Sequence, residues 1–161
     1  SVWGEEKAEE YFHAVKRNSQ VLAGNKQVAR AVATGRLAFG LTDTDDAVIE
    51  VEAGMRVTIV YPDQMEGGLG TLFIPNTLAL IKDSPNPEAA EKLLDFLLSA
   101  EVERKLADGP SAQIPLRKGV PASDRVKTPE QVRAMQVDFE AAAEAWDTVA
   151  KFLQREYAGG E

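Results

Sequence analysis

Cysteine is absent from this 161-residue chain, and histidine occurs once, at His13. The first absence removes disulfides, thiol catalysis and thiolate metal sites together, although it does not decide the compartment. The second leaves no H-E-x-x-H metal motif, and no nucleophile-elbow pattern is present either. No apolar stretch approaches the roughly 20 residues that a membrane helix needs. No segment reads as a signal peptide, and the opening Ser1-Val2-Trp3-Gly4 is expected of a chain processed or cut from something longer. Clustered basic residues are lacking too. With 18 Lys and Arg against 26 Asp and Glu, the formal net charge is −8. That excludes a nucleic-acid surface, because neutralising phosphates takes a basic patch.

What remains is an ordinary globular balance, 44% hydrophobic and 27% charged, over a length sufficient for one moderate domain with a core. Ala8, Tyr11, Phe12 and Val15 fall at helical spacing and predict an amphipathic helix over 5–17. Val21-Leu22 reads as a short strand. Asn25 is expected to cap a helix that buries Val28, Ala29 and Val32 and stops at Gly35. Leu37, Phe39 and Leu41 alternate with Ala38 and Gly40, which suits a strand covered on both faces. Another helix ends near Gly54, and Val57 to Tyr61 reads as a strand stopped by Pro62. This alternation is the signature of an α/β layer with parallel strands.

A glycine-rich turn, Gly67-Gly68-Leu69-Gly70, precedes a long extended run, Thr71 to Lys82, that bends or sits at an edge at Pro75. Asn86-Pro87 starts a helix with a stripe of Ala90, Leu93, Leu94 and Leu97. Ser99 caps a further helix that ends before Gly109-Pro110, and residues 110–128 read as a crossing loop. Thr128-Pro129-Glu130-Gln131 has the capping-box spacing. The apolar series from Val132 to Leu153 then fits either one long helix or two, broken at Asp138.

The dense polar constellation is Asp43-Thr44-Asp45-Asp46, which follows a predicted strand and opens a helix. Carboxyl ends of parallel strands are where ligands bind in α/β sheets. Three carboxylates there favour a cation, either a metal with oxygen ligands or an amine. Helix capping and complementing the helix dipole explain the same residues equally well. Asn25-Lys26-Gln27, at the corresponding place on the preceding helix, is open to an anion at its N–H groups or to simple capping. His13 and the glutamates of the first helix read as surface. Trp3 and Trp146 read as packing residues or as cleft lining.

Taken in order, Gly24 to Val32, then Gly40-Leu41-Thr42-Asp43-Thr44-Asp45-Asp46-Ala47, then Gly70 to Ile81, then Asn86 to Ser99, then Ser111 to Leu116, resemble the ferric-iron-type extracellular solute-binding proteins. The resemblance implies a periplasmic-binding-protein-like α/β lobe, a parallel-rich mixed sheet flanked by helices, in a fragment of a two-lobe protein. Residues 1–70 and 113–161 would form the second lobe, and 71–112 would belong to the first. The missing half would come from a separate chain, or the fragment would dimerise or rearrange to cover stripes such as Leu93, Leu94 and Leu97.

The resemblance further implies a non-enzymatic component of an ABC importer, secreted or lipid-anchored on the periplasmic or extracytoplasmic face, that hands ligand to permease transmembrane subunits. Its site residues would be Asn25, Gln27, Asp43, Thr44, Asp45, Asp46 and Gln113, with Asp45 and Asp46 as the metal candidates and Gly67, Gly68 and Gly70 as the hinge. Iron-binding members carry adjacent tyrosines where this chain has Asp45 and Asp46. Iron(III) is therefore not supported by a tyrosine pair; no cofactor is expected beyond a bound metal ion, and the expected ligand is a metal ion such as iron(III), or a small amine- or phosphate-bearing solute. The alternatives from other classes are a metal-dependent hydrolase using the Asp43–Asp46 run, and a structural or interaction domain in which that run only caps a helix.

Overall fold

A computed structural model describes residues 3–158; Ser1, Val2 and residues 159–161 lie outside the described residues. The chain divides into two units, one formed by its two ends and one by residues 24–136.

In the first unit, α1 (Glu5–Asn18) has Glu5 and Glu6 in its first turn and Lys16 and Arg17 in its last. That order complements the helix dipole at both ends. Asp138 caps α6 (Phe139–Glu144), its carboxylate accepting from the N–H groups of Glu140 and Ala141 at 3.1 and 3.0 Å. The apolar series therefore breaks at Asp138. Helix α7 (Trp146–Leu153) runs on into a π-helical turn, Gln154–Ala158. Phe152 is the buried residue of α7 and meets Phe12 and His13 of α1 edge to face, at 6.4 and 5.6 Å between ring centroids. Glu156 then pairs with Lys16 at 3.6 Å and lies 3.5 Å from His13 Nδ1, which places the lone histidine in a surface polar contact. Trp3 stacks edge-on against Tyr11 at 5.3 Å, and Trp146 is exposed.

In the second unit, α2 (Asn25–Ala33) packs on α3 (Thr44–Glu52). Small Ala29, Ala31 and Ala33 are buried on α2, and Arg30 reaches Glu50 at 3.0 Å, which satisfies the one buried carboxylate among the described residues. Both helices end in Schellman turns. The N–H groups of Gly35 and Arg36 return to Val32 and Ala31, and those of Gly54 and Met55 return to Val51 and Glu50. The core is small. Val48, Ala112 and Val126 are buried together, with Ile59 and Ile114 against them. Each valine contributes about 1.5–3 kcal/mol of burial.

Helices α4 (Pro87–Leu97) and α5 (Ala100–Asp108) follow, the latter capped by Ser99. The loop after α5 is pinned from two sides. The N–H groups of Leu116 and Arg117 donate to Glu103, and the Arg125 guanidinium donates to the carbonyls of Ala107 and Gly109 while pairing with Glu52.

The expected parallel-rich mixed sheet is not formed: the described residues contain no strand, only one parallel bridge between Thr71 and Ala134. The segments at 37–41, 57–61 and 71–82, and Val21-Leu22, form no ladder; residues 37 and 38 are in a bend and 82 is in a turn. Phe39 and Leu41 are 85% and 83% exposed, and Val60, Ile74 and Ile81 are exposed as well. Alternating side chains specify an extended backbone and the faces it would bury. A strand also needs a neighbour to accept its N–H groups and donate to its carbonyls, and apart from the Thr71–Ala134 bridge these segments have none. The stripe on α4 is only partly covered: Leu93 and Leu97 are exposed, Ala90 and Leu94 half-buried, and α4 buries no residue.

Two smaller expectations change for local reasons. Gly24, not Asn25, is the N-cap of α2, and Asn25 opens the helix. Thr128-Gln131 closes a turn, with the Thr128 N–H donating to Gln131 Oε1 at 2.9 Å, but no helix propagates from it. The following residues are instead held in the bridge to Thr71.

Candidate functional site

The N-termini of α2 and α3 are laced together. Asp43 caps α3 with extended backbone, and its Oδ1 accepts from the Asp46 N–H at 3.4 Å. Its Oδ2 accepts from the Asn25 side-chain amide. Thr42 Oγ1 donates to the Asn25 carbonyl at 3.0 Å. The Asn25 side chain is thus spent on the neighbouring helix instead of on its own first turn.

From the other side comes Gln113. Fully buried Ala112, at φ 46°, turns the chain after α5, and the Gln113 N–H donates to the Leu106 carbonyl at 3.2 Å. That holds the Gln113 backbone, and its side-chain Nε2 donates to Asp45 Oδ2 at 3.2 Å. Behind it, Asn76 Nδ2 donates to Gln113 Oε1 at 2.7 Å.

One oxygen from each of Asp43, Asp45 and Asp46 falls within 4.8 Å of the others. Like charges so close disfavour full ionisation. Burial, then the hydrogen bond and charge of Asp43, raise the Asp45 carboxyl above its ordinary value. Burial and the Asp43 charge raise Asp46 as well, while Lys26 opposes them. The helix N-termini oppose this by favouring the charged forms. A cation resolves the conflict by supplying the missing positive charge. An ammonium group brings three N–H donors, and a hard metal would seek six or more oxygens.

Five of the sequence-predicted site residues are therefore brought together: Asn25, Asp43, Asp45, Asp46 and Gln113. Thr44 is the first residue of α3, inside the same turn. Gln27 lies on the exposed first turn of α2, where its N–H is taken by the Gly24 carbonyl at 3.1 Å.

Gly67, Gly68 and Gly70 lie apart from the cluster, in a loop tied to residues 133–135. Gln64 bonds Thr71 Oγ1 and the Arg133 carbonyl, each at 3.0 Å, and Arg133 returns bonds to the carbonyls of Met65 and Gly68. At Gly70, with φ 90°, a Cβ would come within 2.8 Å of the Arg133 carbonyl oxygen, so only glycine fits the close approach.

Thr42 and Asn76 were not singled out by the sequence. Asn76 stands next to Pro75 in an extended run, and its link to Gln113 spans 37 residues, beyond any local pattern.

Comparison with known proteins follows this geometry. Residues 3–134 match the family described as bacterial extracellular solute-binding protein. The chain is 27% identical over 134 residues to proteins of Salmonella typhimurium, Salmonella paratyphi A and Salmonella typhi, each named "Putative 2-aminoethylphosphonate-binding periplasmic protein". The match takes in 81% of this chain and 38% of each relative, so the chain spans well under half of their length. No solved structure matches it. With the family model covering most of its residues, the chain belongs to the bacterial extracellular solute-binding proteins.

Proposed function

We propose that this chain is part of the solute-binding component of an ABC importer on the periplasmic or extracytoplasmic face, and that it captures a small solute through a cationic amine. The observation that carries the reading is the convergence of Asp43, Asp45 and Asp46 at the first turn of α3, faced by Gln113. The name of the Salmonella relatives supports an amine beside an anionic phosphonate group. Lys26 and the first turn of α2 offer complementary charge for such a group. Residues 1–70 and 113–161 would act as the second lobe and 71–112 as part of the first, with movement at the Gly67–Gly70 turn closing the cleft for the permease subunits. The component binds and releases its solute without changing it.

Calorimetric titration of the protein with 2-aminoethylphosphonate, ethylamine and Mn²⁺ tests this. The expected result is binding of the aminophosphonate, lost when Asp45→Asn and Asp46→Asn are combined. Unchanged affinity in that double variant sinks the assignment of the site.

A further inference from the structure

We draw no further inference here: the strongest candidate, the groove between residues 57–61 and 124–127 lined by Val57, Ile59, Tyr61 and Val126, carries none because nothing in the structure shows what covers it.

Discussion

Asp43 does two jobs that can be separated by substitution. As the cap of α3 it needs an acceptor, which Asn supplies as well as Asp, whereas its charge is needed only for a cation. Asp43→Asn should therefore leave the melting temperature nearly unchanged and weaken amine binding. Asp43→Ala should cost about 1 kcal/mol of stability in addition, read by denaturant unfolding.

Asp45 and Asp46 carry a pH signature. Both are raised above the ordinary carboxylate value of 3.8, chiefly by burial and by Asp43. The folded state thus binds their protons more tightly than the unfolded chain does. Their contribution to stability is fully present below the unfolded value and is lost as pH rises through the folded values. Asn at both positions stays neutral throughout. The double variant should melt higher than the parent at neutral pH, and the gap should close on acidification toward 3.8. A gap that widens in acid would contradict the assignment.

Much of this cluster was legible, because four residues lie consecutively and their meaning depends on local spacing. Gln113 was reached only through the family resemblance. Asn76 was not found at all, since its bond to Gln113 depends on a partner that sequence spacing cannot supply.

At the scale of elements, the turn after α5 decides where Gln113 stands. Ala112 is fully buried and held in the left-handed region. A β-branched residue there is strained in its backbone and has no room for its side chain. Ala112→Val should destabilise the protein by about 3 kcal/mol and weaken ligand binding in step, measured by unfolding and calorimetry on the same sample.

The helices could be read in advance at Glu5–Asn18, Pro87–Leu97 and Ala100–Asp108, because capping residues and 3.6-residue periodicity are written within each segment. Of the two readings left open for residues 132–153, neither holds whole: Asp138 caps a helix, but no helix precedes it there and the part after it is divided at Ala145. Asn25 misled because a good capping residue follows a glycine that takes the cap position, while its own amide finds Asp43. The strands failed for a different reason. Val57 to Tyr61 and Thr71 to Lys82 carry the alternation of strands, but pairing is a property of two segments, and no single run of residues states its partner.

For the whole molecule, the consequence is apolar surface left open. Phe39, Leu41, Ile74 and Ile81 on the extended segments, and Leu93, Phe96 and Leu98 around α4, are all more than half exposed. Such surface marks interaction sites or aggregation liabilities. The chain by itself should bind a hydrophobic dye strongly and associate as its concentration rises, followed by fluorescence and light scattering. A monodisperse monomer without dye binding would show that these residues are covered in solution.

The tie between the 62–71 loop and residues 133–135 joins points 69 residues apart, through Gln64 and Arg133. Helical turns form within microseconds from neighbouring residues, whereas closing so long a loop must wait until the intervening chain has lost its freedom. In refolding, then, this clasp should be the last part of the 24–136 unit to form and the first to open, so that a protease acting on partly unfolded protein would cut near Gly67 before it reached α2 or α3.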